Sequence, residues 1–252
     1  MKINDFLRTM ASEVANNREL DWRDFYYTLK YLGVKRYDNL ASDIENFYKE
    51  FLVSLNNSLV KYEVKSVNSG VNVTHYIGFY TEKSADYKEA VKVYFPVKYE
   101  YMISALKTIF LYLIRNNIKA TVKFYVKSTN EGIVIRFYDS KEVMPFINYC
   151  NNSFALKELL ENLNPFIAGI YGIGLVKDSN NKESYSVTLS NILSDYFKFL
   201  KEQQALDKVS DLGFLDYVIK RSDIEEDNEI KFNMIAIHKN IATILNHTNP
   251  VI

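Results

Sequence analysis

A single cysteine, Cys150, leaves this 252-residue chain without an internal disulfide or a cysteine-based zinc site, and points to a reducing cytosol. Excess charge is missing as well. Lys+Arg and Asp+Glu both total 31, so no whole-molecule field draws the protein to nucleic acid or to an anionic membrane. Any charge-based recognition must therefore be local. Long apolar runs are also lacking: the most apolar stretch, Met102 to Ile114, is broken by Lys107 and flanked by Glu100 and Arg115, too short and too charged to span a bilayer. The opening residues mix Lys2, Asp5, Arg8 and Glu13 among apolar ones, so they lack the uninterrupted apolar centre of an export signal, and a cytoplasmic protein is expected. Glycine and proline number only 8 and 4, beside 20 Tyr and 16 Phe. Asn, Lys, Ile and Tyr are abundant together, as a low-GC codon bias would produce, so the aromatic richness carries little functional weight.

What is present is the composition of a soluble globular protein, with 48% hydrophobic and 25% charged residues in a chain long enough to bury a core. Its first quarter is helical by periodicity. Phe6, Met10 and Val14 keep one face; Phe25, Leu29 and Leu32 repeat the pattern before Gly33 ends it. A third helix is expected from Ser42, where Ser42 and Glu45 form a capping box ahead of Ile44, Phe47, Phe51 and Leu55. From Leu59 the period becomes two, around Asn68, Ser69 and Gly70, which predicts a β-hairpin. His75 falls on the apolar face of its second strand and reads as a core histidine.

The central unit runs strand, helix, strand, strand, helix. Val91, Val93, Phe95 and Val97 alternate with Lys92 and Tyr94, and Pro96 argues for an edge strand or a strand end. A helix over 98–116 follows, with Met102, Leu106, Ile109, Phe110 and Leu113 facing the core. Ile118, Ala120, Val122, Phe124 and Val126 then alternate with Lys119, Thr121, Lys123, Tyr125 and Lys127. A turn at 128–132 leads to Ile133, Ile135 and Phe137, alternating with Val134, Arg136 and Tyr138, so the two strands form a hairpin. A short helix follows from Ser140 with Pro145 one turn in, where it is tolerated. Residues 166–176 form a strand or a loop loosened by Gly169, Gly172 and Gly174, and helices return over 189–199 and 232–245. One α+β domain over 1–252 is expected: a helical lead-in at 1–57, a mixed sheet core at 58–176, and a mainly helical part at 177–252.

Several chemistries are disfavoured by spacing. No Gly-Lys-Ser/Thr follows the glycines and no dinucleotide fingerprint is present. His75, His238 and His247 are dispersed, so no histidine metal site is expected, and no nucleophile elbow marks a hydrolase. Asp223, Glu225, Glu226, Asp227 and Glu229 lack calcium-loop spacing and read as a solvated loop. What remains is the parity of the strands, which puts Lys92, Tyr94, Lys123, Tyr125 and Arg136 on the face opposite the apolar one. If those strands are neighbours, the face suits a phosphate: Arg supplies a bidentate fork, Lys a point charge and Tyr a neutral donor. A plain solvated sheet face is the alternative.

The succession of Lys92–Pro96 (KVYFP), a helix, Val122–Phe124 (VKF), Asn130–Val134 (NEGIV), Gly172–Leu175 (GIGL) and Glu183–Tyr185 (ESY) resembles the HopA-type effector family, including its relatives in class V lanthipeptide and thioamitide biosynthesis. The likeness extends from Ala90 to Phe197. Lys123 matches a family lysine, and Lys92 stands where the family has arginine. Other family positions differ: an Arg-x-Asp appears here as Ser128, Thr129 and Asn130, a Thr-Lys falls near Phe166 and Ile167, and a helical arginine aligns near Leu189.

The resemblance implies a metal-free and cofactor-free lyase that β-eliminates phosphate from phosphoserine or phosphothreonine of a precursor peptide, beside a partner kinase, leaving dehydroamino acids. Such chemistry needs a base for the α-proton and cations for the departing phosphate. Lys123 is the candidate base, a role that requires burial or other cations to lower its pKa toward neutrality, and Tyr94 the candidate proton donor. Lys92, Arg136, Lys119 and Tyr125 are the candidate phosphate ligands, Arg136 on parity alone. The lost charges leave open a second class, a catalytically degenerate lyase-like protein that binds a peptide, a kinase or a host partner as an effector or scaffold. An unrelated α+β binding domain is a third.

Overall fold

The structure, a computed structural model, describes residues 2–16, 19–32, 61–69, 72–80, 90–124, 129–177, 184–225 and 233–235, with isolated positions at 43, 46, 50 and 237. Helices α1 (Ile3–Ala15) and α2 (Trp22–Tyr31) come first, followed by the antiparallel hairpin β1 (Lys61–Ser69) and β2 (Asn72–Tyr80). Then come β3 (Val91–Phe95), α3 (Met102–Arg115), β4 (Ala120–Phe124), β5 (Ile133–Phe137), α4 (Val143–Ser153) and the short α5 (Leu156–Leu159). The chain continues through β6 (Ala168–Ile170), β7 (Ile173–Lys177), α6 (Tyr185–Glu202) and α7 (Asp211–Glu225). The fold is therefore α+β, with helical parts at both ends of a sheet core. Among the described residues no helix is long and apolar enough to cross a membrane.

Five strands form one sheet in the order β4-β5-β3-β7-β6, antiparallel at every pairing. Alternation in sequence settles which residues share a face but not strand direction; here the β6-β7 hairpin turns in two residues, and β3 runs antiparallel to both β5 and β7. Pro96 marks the end of β3, not an edge, because β3 is the central strand with β5 and β7 on its two sides. Its missing N–H costs nothing there, and its carbonyl accepts from Glu161 N at 2.6 Å.

One face of the sheet is apolar but for Lys177 at the end of β7. Val91, Val93, Phe95, Val122, Phe124, Ile133, Ile135 and Phe137 meet Leu106, Ile109, Phe110 and Leu113 of α3 and Phe146, Ile147 and Cys150 of α4. Phe137 and Phe146 pack with ring centroids 5.1 Å apart. Each such side chain contributes about 1.5–3 kcal/mol by burial. The predicted stripe of α3 is buried as expected, and Pro145 lies in the first turn of α4, where no intrahelical donor is required of it.

The opposite face is covered by helices. Phe6, Leu7 and Met10 of α1, Phe25 and Leu29 of α2, Leu189, Leu193, Tyr196 and Phe197 of α6 and Phe214 of α7 form a second core with Tyr94, Val134 and Val176 of the sheet. Phe25 stacks on Phe197 at 5.4 Å. The N-terminal helices are thus a layer of the sheet's own packing. All five residues of β3 are buried, Lys92 among them, so the expectation of a solvated face fails at the centre of the sheet.

The glycines of 168–174 serve turning and packing and do not loosen the chain. Tyr171 and Gly172 have φ of 54° and 85°, the two left-handed positions a two-residue hairpin needs. A side chain at Gly174 would stand 2.7 Å from both Ile167 and Leu163 and 3.2 Å from Tyr94 Cβ, which is why none is there. Helix α7 continues through Glu225, so Asp223 and Glu225 of the acidic run lie in a helix and not in a loop. The helix expected from Ser42, most of that over 232–245, the face of His75 and the remainder of the acidic run lie outside the described residues.

Candidate functional site

Register on the helix-covered face sets the cations side by side. Lys92 on β3 pairs with Arg136 on β5, which pairs in turn with Thr121 on β4; in the next row Tyr94 pairs with Val134, and Val134 with Lys123. Directly paired residues have Cβ atoms about 5 Å apart and diagonal ones about 7–8 Å, so Arg136 lies within side-chain reach of both Lys92 and Lys123. Parity therefore places Lys92, Tyr94, Lys123 and Arg136 on one face, as expected. Tyr125 lies outside the described residues. Lys119 shares the parity but is exposed and sits ~13 Å along the chain from Lys123, at the margin of the site. Tyr94 is 3% exposed and packed beside Gly174 within the second core.

Three further groups complete the arrangement. The β4-β5 turn is closed by Gly132 N donating to Thr129 O at 3.2 Å and by Glu131 N donating to Thr129 Oγ1 at 3.1 Å. This turn carries Glu131 inward, where its Oε1 accepts from Ser186 Oγ at 2.5 Å. Ser186 belongs to the first turn of α6, so the carboxylate lies at the positive end of that helix, a favourable place for it. Lys30 arrives from the last turn of α2 and is buried; its Nζ donates to Tyr26 Oη at 3.3 Å and lies 5.2 Å from the Tyr26 ring centroid.

The electrostatics make these residues one unit. Burial lowers the Lys123 pKa; Glu131 opposes the shift, while the positive charges of Lys92 and Arg136 add to it. Burial likewise brings Lys30 down to about 8, with Glu131 opposing and Lys123 assisting. Lys123 thus links the group: it interacts with Glu131, Lys92 and Arg136, and Lys30 interacts with Glu131 and with Lys123 itself. Like charges so placed disfavour one another's ionised form, and an added anion relieves them. The arrangement can hold a multiply charged anion, and it holds Lys30, whose neutral form is within reach near pH 8, beside Lys123, whose pKa is lowered as well.

Sequence reasoning finds the sheet half of this cluster and misses the rest. Glu131 lies inside the NEGIV stretch and Ser186 just beyond ESY, so both were adjacent to recognised motifs. Lys30 had a fainter signal: Tyr26 and Lys30 are spaced i,i+4 directly beside the Phe25 and Leu29 stripe, the flank of an apolar face.

No family model and no curated protein matches the chain by sequence. Two solved structures share its fold: an effector protein from Pseudomonas syringae pv. syringae strain 61, with a TM-score of 0.56, and one from Pseudomonas syringae pv. tomato strain DC3000, with 0.57. In each case identity is 11%, and the match covers 76% of this chain and 85% of the other. At that identity the likeness is one of fold, and what this chain is similar to is a bacterial effector protein.

Proposed function

We propose that this chain is an effector-type binding protein that recognises a phosphorylated side chain of a peptide or host protein through the Lys92, Lys123 and Arg136 face. The observation that carries this reading is the pairing of Lys92 with Arg136 beside Lys123 on the helix-covered face, with Lys30 and Glu131 interacting with Lys123. A phosphoryl group carries close to two negative charges near pH 7 and accepts bidentate bonds from Arg, which suits a face of one Arg and two Lys. The fold shared with two effector proteins agrees with work inside a host cell after delivery.

A second reading, β-elimination in peptide maturation beside a kinase that supplies the phosphorylated residue, is favoured by one specific observation: Lys123 is held below its ordinary pKa. In that step the neutral Lys123 amine takes the α-proton and the electron pair of that bond forms the Cα=Cβ double bond. The Cβ–O bond breaks, and phosphate leaves with both electrons of that bond, its charge met by Lys92 and Arg136.

One experiment separates the readings. Labelled phosphoserine and phosphothreonine peptides, with unphosphorylated controls, are titrated with the chain and its Lys123→Ala variant, and the incubated peptides are weighed by mass spectrometry. The binding reading expects retention of the phosphorylated peptides alone, about 10–100-fold weaker in the variant, with masses unchanged. Loss of phosphoric acid with the wild-type chain and not with the variant establishes elimination. Equal or absent binding of both peptide forms refutes each reading.

A further inference from the structure

Helix ends account for part of the charge where α1, α2 and α6 meet, and not for the hollow between them. Asp21 caps α2: its Oδ1 accepts from Arg23 N at 2.7 Å and from Asp24 N at 3.3 Å. Lys201 stands in the last turn of α6, where a cation complements the helix dipole. Beside them lies a cavity of about 550 Å³, within the range of small-ligand sites. Val14, Leu20 and Phe197 give it an apolar floor, and Phe25, stacked on Phe197 at 5.4 Å, holds that ring in place. Glu19 and Asp21 line it from the residues leading into α2, Lys198 and Lys201 from α6, and all four are exposed. The two lysines are three residues apart, so both rise from one face of their helix.

The polar group on the floor is Ser194, which is 4% exposed and lines the cavity. A buried helical serine can donate to the carbonyl four residues back, as Ser190 does to Ser186 O at 2.7 Å. Among the described residues Ser194 Oγ has no hydrogen-bond partner, so it takes one from whatever fills the cavity. We propose that the cavity binds a short zwitterionic peptide with apolar side chains. Its α-ammonium meets Glu19 and Asp21, its carboxylate meets Lys198 and Lys201, a side chain rests on Val14 and Phe197, and a backbone polar group bonds Ser194. A free amino acid carries its two charges on neighbouring atoms; an extended di- or tripeptide holds them about 7–10 Å apart, as walls of opposite sign on different elements require. Because those walls are exposed and screened, the expected Kd is on the order of 0.1–1 mM. The site is separate from the cationic sheet face and does not depend on the phosphoryl reading.

The test is calorimetric titration of the full chain at low salt with leucyl-leucine, beside its N-acetyl form, which lacks the positive charge, and its C-terminal amide, which lacks the negative one. Saturable binding of the free dipeptide is expected, several-fold weaker for either capped form. Ser194→Ala should weaken the free dipeptide several-fold, and Lys198→Glu combined with Lys201→Glu at least tenfold. Both lysines are exposed, so the double variant keeps its fold, which thermal unfolding verifies. No saturable binding of leucyl-leucine up to about 10 mM overturns the proposal. Equal affinity for free and capped forms, or undiminished binding by the folded lysine variant, overturns it as well, because the charged walls then do not select the ligand.

Discussion

The two faces of the five-stranded sheet are built from alternate residues of the same strands, yet they are stabilised in opposite ways. Toward α3 and α4 the inward positions are apolar except Lys177 at the end of β7, and the face is a core of Val, Ile, Leu and Phe. Toward α1, α2 and α6 the central strand instead carries Lys92 and Tyr94, and the neighbouring strands Arg136 and Lys123. Helices cover that face too, so its cations are withdrawn from water and not spread over a solvated surface. A core gains from burial, whereas buried like charges cost stability until something negative joins them. The difference teaches where function lies: a sheet that can afford one apolar face has no structural need for a row of charges under the other.

The comparison breaks most severely on the apolar side. Phe137→Ala removes a fully buried ring packed on Phe146 and should cost about 3–5 kcal/mol in chemical denaturation, without regard to phosphate. Retained stability would mean the face is not the core it looks to be.

On the charged side the first target is the carboxylate. Glu131→Gln removes a counter-charge from Lys30 and Lys123 and should destabilise the chain by about 3 kcal/mol, with phosphate restoring part of the loss. A neutral outcome in phosphate-free buffer would show that Glu131 does not balance the cluster.

Removing a cation should do the reverse. Lys30 has a folded-state pKa of about 8 against an ordinary 10.5, so between those values the unfolded chain binds more protons and stability rises with pH. Below about pH 8 both states are protonated and the cost of the buried charge is fully present; above about 10.5 neither is, and the cost is gone. Lys30→Met should therefore be more stable than wild type at pH 7, by an amount on the order of 2–3 kcal/mol, and the gap should close as pH rises through 8 to 10.5. A gap independent of pH would trace the effect to packing instead of charge.

The smallest effect is expected at the hinge between the two layers. Asn130→Ala removes the side-chain bond to Leu29 O and should cost about 1 kcal/mol while loosening the end of α2, visible as faster amide exchange in its last turn. Unchanged exchange there would mean the backbone bond to Lys30 alone holds the helix.

Much of this contrast was legible from the chain. Period-two alternation assigned the right residues to each face within Val91–Phe95, Ala120–Phe124 and Ile133–Phe137, since a strand's side chains alternate whatever its neighbours are. The helices α1, α2 and α3 were legible for the same reason at period 3.6. What alternation cannot carry is what lies on top of a face, and so the burial of Lys92 and Tyr94 was not foreseen. Lys30 and Glu131 were missed because their roles come from contacts across the chain: a turn reaching the end of α2, and a carboxylate reaching the first turn of α6. The glycines near 170 were misread because close packing around Gly174 depends on Leu163 and Ile167, which only the folded hairpin brings near.

The central claim, that the charged face is a phosphoryl site, is tested most directly by thermal unfolding in increasing inorganic phosphate against chloride at matched ionic strength. A ligand that binds only the folded chain stabilises it by RT ln(1 + [L]/Kd). The account predicts a Tm that climbs with phosphate for the wild-type chain and stays flat for Lys92→Met combined with Arg136→Met. Identical phosphate dependence in the two, or none in the wild type, would contradict it.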